Sequence, residues 1–127
     1  MPKVVINNTK GLFQKTGGGL ALFGGGVESI SVDSTTGSDN PIAATTSLAL
    51  VTSGTDTHAT DLPTIADVEV GHTILIASIG TNDLVIEPQG DSSETINGQS
   101  SITTGQNTAV LCVKATSTTW IAINVGV

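Results

Sequence analysis

The chain has 127 residues and a formal net charge of −7, from eleven acids, four Lys and no Arg. That length suits one domain with a real core, and a single Cys excludes an internal disulfide while allowing a reducing compartment. Phosphate backbones and anionic membranes are held chiefly through Lys and Arg clusters, so no nucleic-acid and no membrane partner is expected.

The start, "MPKVVINNTKGLFQ", lacks the apolar core of a signal peptide, and no apolar run approaches bilayer length. A soluble protein made in a cytoplasm is expected. Two Phe, one Trp and no Tyr leave few platforms for stacking bases or sugars. Thr and Ser form about a quarter of the chain, with fifteen Gly, while good helix formers are sparse. Thr favours strands and Gly favours turns, so composition points to an all-β fold.

Residues 1–40 differ from the rest. "VVIN" suits a short strand, and the Gly triplets Gly17–Gly19 and Gly24–Gly26 then bracket "LALF". Such a segment loses much backbone entropy on ordering. Yet it carries Leu12, Phe13, Leu20, Leu22 and Phe23, which a solvated linker would not need. An arm that orders against another surface reconciles the two facts; the alternative is that these residues join the domain's own core.

From Pro41 onward short strands alternate with turn signals. "ATTSLALVTS" comes first, then "HATDLP", a short extended piece that Pro63 ends or pushes to an edge. "TIADVEVG" has Ile65 and Val68 at helical spacing, enough for one turn. "HTILIASI" and "DLVIEP" are the most apolar strands, joined by "GTN". Asn97-Gly98 in "ETINGQSSIT" is the strongest hairpin signal. "GQN" then turns into "TAVLCVKA", and "TSTT" leads to "WIAINV".

A five-residue loop, Ala115 to Thr119, places Lys114 opposite Trp120, Val113 opposite Ile121, Cys112 opposite Ala122 and Leu111 opposite Ile123. Alternation gives one face Leu111, Val113, Ile121, Ile123 and Val125, the expected core stripe. Cys112, Lys114 and Trp120 then share the other face through register alone, with the Lys stem over the indole.

Chemical readings find little support. A nucleophilic Cys112 needs a base and an electropositive setting, whereas His58 and His72 are distant in sequence and the surroundings acidic. Asp56, His58 and Asp61 lack the EF-hand spacing and its final Glu. "GGGLALFGGGVES" has neither the Lys nor the helix of a phosphate loop. Carboxylate pairs for glycoside hydrolysis lack aromatic subsites. No catalytic residue, metal ligand or cofactor is therefore expected.

The run from "DLPTIADVEVGHTILIASI" through "LVIEPQGDSSETINGQSSITTGQNTAVLCVKATSTTWIAI" resembles a recurring β-module of tailed-phage virion proteins. The carrying features are a Leu-Pro entering a short turn, a Gly before an apolar strand, a "V-I-x-P" strand, an "I-N-G" hairpin and a closing "W-x-x-I". They span roughly half to two-thirds of the chain and are turn and core features rather than functional residues. The Gly-rich front segment has no counterpart in such modules.

The resemblance implies a capsid decoration (cement) protein, made in a host bacterium's cytoplasm and displayed on the virion. The implied partners are the major capsid protein and two further copies in a homotrimer. A head or tail fibre module, or a glycan-binding tip, is the alternative. The fold expected is a compact antiparallel sandwich or jelly-roll-like barrel over residues 41–127, preceded by an extended arm over 1–40. Leu12, Phe13, Leu20, Leu22, Phe23 and Trp120 are the expected capsid or subunit interface.

Overall fold

A computed structural model describes residues 4–7, 11–14, 26–89 and 93–125, the first two stretches as backbone only. Among the described residues, all regular structure beyond two single 3-10 turns is β. The strands are β1 (Val4–Asn7), β2 (Gly11–Gln14), β3 (Gly26–Val32), β4 (Thr46–Ser53), β5 (Ala59–Asp61) and β6 (Thr73–Ser78). They continue as β7 (Leu84–Glu87), β8 (Thr95–Ile96), β9 (Ile102–Thr104), β10 (Ala109–Lys114) and β11 (Thr119–Asn124).

Strand pairing departs from a sandwich or jelly roll. A six-stranded sheet has the order β3-β4-β6-β10-β11-β8, and a three-stranded sheet the order β5-β7-β9. β3, β4 and β6 pair in parallel, as do β5 and β7. Each passage from the large sheet to the small one, β4 to β5 and β6 to β7, therefore makes one rung, and the next rung stacks on it. That is the pairing of a short β-solenoid. At its end the chain reverses: β9 pairs antiparallel with β7, β10 with β6, and β11 with β10. Successive side chains point to opposite faces whether the neighbours are parallel or antiparallel, so period-two spacing alone does not order the strands.

The core lies between the two sheets. Ala49 and Val51 of β4, Ile74 and Ile76 of β6, Cys112 of β10 and Trp120 of β11 point into it from the large sheet. Ile96 of β8 joins them at the end of the same sheet, and Leu84 and Ile86 of β7, with Leu62 and Ile65, complete the cluster. The expected single helical turn is a 3-10 turn at Ile65–Asp67. At the Asn97-Gly98 turn both residues have positive φ, 53° and 78°. Ile96 and Gln99 exchange backbone hydrogen bonds of 2.8 and 2.9 Å across it, as a tight hairpin requires.

The front of the chain also differs from a wholly extended arm. "VVIN" is a strand, and it pairs antiparallel with "GLFQ" from Val4↔Gln14 to Asn7↔Gly11. Residues 26–32, placed with the arm in the sequence reading, form β3 and run beside β4.

Candidate functional site on the outer sheet face

The last hairpin has the register that its loop length predicts: Lys114↔Trp120, Val113↔Ile121, Cys112↔Ala122 and Leu111↔Ile123. Its faces are inverted with respect to expectation. Cys112, Lys114 and Trp120 are buried, whereas Ile121, Ile123 and Val125 are 40, 52 and 52% exposed. The more apolar stripe is normally the buried one, but the indole, with the largest area to hide, goes inside and takes Cys112 and Lys114 with it.

Lys114 is buried because its ammonium has partners. Nζ donates to the carbonyl oxygens of Ile65 and Val68 at 2.7 and 2.5 Å, tying β10 to the 3-10 turn. The expected exposed stacking of Lys on Trp is replaced by this internal anchor. Trp120, expected at an interface, is wholly buried. Leu12 and Phe13 lie in β2, whose side chains are outside the described structure, and Leu20, Leu22 and Phe23 lie outside the described residues.

The outward stripe continues across the sheet. Val27 pairs with Leu48, Leu48 with Leu75, Leu75 with Leu111, and Leu111 with Ile123. Five apolar side chains thus form one row across five strands, all on the side away from the core. Leu50, Ala77 and Ala109 flank it on one side, and Val113 and Ile121 on the other. Outward positions on β3, β4, β6, β10 and β11 are apolar, Ser or Thr, and none is charged. Its part on the last hairpin, Leu111, Val113, Ile121, Ile123 and Val125, is the stripe expected in the core. The signal that could have found it was the apolar character of both faces in β4, β6 and β10, since a strand buried on one face only should alternate.

The candidate chemical residues do not converge. Cys112 is buried, and burial pushes its thiol from 9.0 up to about 12, away from a thiolate nucleophile. His58 Nδ1 lies 3.0 Å from the Val32 carbonyl oxygen, and Asp56 Oδ1 accepts the Asp83 backbone N–H at 2.9 Å. Burial first, and the Lys114 charge second, lower the pKa of His72. No group of three or more His, Cys, Asp or Glu side chains suited to a metal occurs among the described residues. Asp61 and Glu87 do meet, as register partners on β5 and β7. Burial first, then the charges of Glu87, Asp39 and Glu94, raise the Asp61 carboxyl from 3.8 to about 6. No helix among the described residues is long and apolar enough to cross a membrane.

Comparison with models of known protein families and with characterised protein sequences finds no match for the chain.

Proposed function

We propose that this chain is a non-catalytic structural component of a tailed-phage virion, a decoration protein that binds the assembled shell as a homotrimer. The observation that carries the reading is the uncharged apolar face of the six-stranded sheet, on which Val27, Ile121, Ile123 and Val125 are exposed and Leu48, Leu75 and Leu111 half-buried. A patch of that kind is a surface for packing against neighbours. The resemblance of the "DLPTIADVEVG" to "TTWIAI" run to virion β-modules supplies the kind of neighbour.

The mechanism is mass action. A protein that binds the assembled lattice, and not loose subunits, stabilises the lattice by the free energy of its binding. Specific interfaces bury about 1,600 Å² each, and many repeated over a shell resist internal pressure without contact to packaged DNA. The Gly-rich front segment, with Leu12, Phe13, Leu20, Leu22 and Phe23, is the part proposed to lie along the shell. Ordering its glycines costs affinity and lets the backbone follow a surface closely.

A head or tail fibre module is the second reading. The stacking of rungs along one axis favours it, because a solenoid extends naturally into a rod. Adding purified chain to shells that lack it tests the first reading. Decoration predicts saturable binding and a higher temperature of shell rupture. Binding to cells without binding to shells would move the chain to the fibre or receptor-tip class.

A further inference from the structure

We infer that the outer face of the six-stranded sheet, centred on the Val27–Leu48–Leu75–Leu111–Ile123 row, is where a second copy of this chain docks. The inference rests on the reading that the chain works by self-assembly, and it names the surface. It does not depend on a capsid.

Three observations lead to an identical copy as the occupant. The first is charge. Two copies that each carry −7 repel wherever acids face one another, and this face carries no charge. A neutral face is the one on which like-charged copies meet without that penalty.

The second is the distribution of charge along the chain. Residues 1–25 hold Lys3, Lys10 and Lys15 and no acid, whereas every acid lies in residues 26–127. A cationic segment gains no ion pair from an uncharged face, so the chain's own front segment is a poorer match for it than a second sheet.

The third is extent. Five strands about 4.8 Å apart, each about 20 Å long, make a patch of about 480 Å². Covered by the neighbouring copy in the trimer, it buries about 960 Å² over both partners, close to the roughly 1,000 Å² at which specific interfaces begin. The parallel portion, β3-β4-β6, adds a reason for cover, because parallel sheets are ordinarily buried on both faces. Here the inner face packs on the core, while on the outer face Val27, Ile121, Ile123 and Val125 are exposed and Leu48, Leu75 and Leu111 half-buried.

The test follows self-association of the full chain by analytical ultracentrifugation across the micromolar range, at low and moderate salt. Wild type is expected to assemble, and more tightly as salt rises, because salt screens the repulsion between anionic copies and leaves apolar contact intact. Leu75→Glu with Leu111→Glu is expected to give monomers. The milder pair Leu111→Thr with Ile123→Thr, which keeps strand propensity, is expected to weaken association about tenfold or more. Thr103→Glu, on an exposed position of the small sheet, is expected to assemble as wild type does. Emission from buried Trp120 reports whether each variant is folded.

A wild-type chain that stays monomeric at the highest concentration overturns the proposal, as it would if residues 1–25 covered the face from within. Folded face variants that assemble as wild type overturn this surface and leave self-assembly standing elsewhere. Loss of assembly in Thr103→Glu equal to that of the face variants also overturns it, because added charge alone would then account for the effect. Failure of shell binding, with these results as expected, removes the capsid reading and leaves the interface in place.

Discussion

Lys114 and Trp120 stand opposite each other across the last hairpin, and both side chains point into the core. The pair is tolerated because Nζ donates to two backbone carbonyls, those of Ile65 and Val68. A buried ammonium without such partners would cost several kcal/mol. Removing it leaves two buried acceptors without their donor. Lys114→Met is expected to lower stability by about 1–3 kcal/mol, measured by urea denaturation followed through Trp120 emission. A neutral result would mean that neither carbonyl depends on the ammonium.

Cys112 is predicted to be inert in the native protein. Its sulfur is buried against the core and its thiol is shifted up to about 12. Labelling with a thiol reagent at mildly alkaline pH should be at least about a hundredfold slower than in denaturant. It should accelerate only as the fold opens. Rapid labelling of folded protein would contradict the inward orientation of β10.

Asp61 makes a pH prediction with a definite sign. Its carboxyl titrates at about 6 in the fold against an ordinary 3.8, so the native state holds a proton that the unfolded chain has released. Its contribution is therefore most favourable below 3.8 and is lost as pH rises through about 6. The groups facing it are Glu87, Asp39 and Glu94, all carboxylates. Asp61→Asn is expected to raise stability at neutral pH by roughly 1–2 kcal/mol, allowing for solvent screening. The difference from wild type should vanish towards pH 4, within the window set by 3.8 and about 6. A variant less stable than wild type at pH 7 would mean that the ionised carboxylate is held by hydrogen bonds.

Gly37 belongs to the same corner. A Cβ added there would overlap Asp61 Oδ1 and crowd Glu87 Oε2. Gly37→Ala is thus expected to cost about 1–3 kcal/mol. Combining it with Asp61→Asn should not recover the loss, because the amide fills the same space. Full recovery in thermal melts of the double variant would show that charge, not crowding, governs the corner.

Much of the fold was legible in the sequence at the level of single elements. The strands from Thr46 onward, the turn at Ile65–Asp67, the Asn97-Gly98 turn and the register of the last two strands each follow from local pattern or turn chemistry, whereas β2 and β3 lie in the segment expected as an arm. What was not legible is which strands neighbour one another. Leu48 and Leu75 lie on strands separated by a whole rung, and their parallel pairing is set by how the rungs stack rather than by a turn. The same gap inverted the hairpin. Judged on its own, the Leu111 and Ile123 stripe is the more apolar one and belongs inside. Set in the sheet it is the outer row, because Trp120, Cys112 and the carbonyl-bound Lys114 fill the interior. The candidate interface was therefore present in the sequence as a set of residues and assigned to the wrong side.

The measurement that tests the proposed function most directly is the number of copies of this chain per purified particle, by quantitative mass spectrometry against the major shell protein. Decoration predicts hundreds of copies in a fixed ratio to the shell. No association with particles would contradict the account, while a handful of copies would contradict decoration and leave a fibre or tail tip.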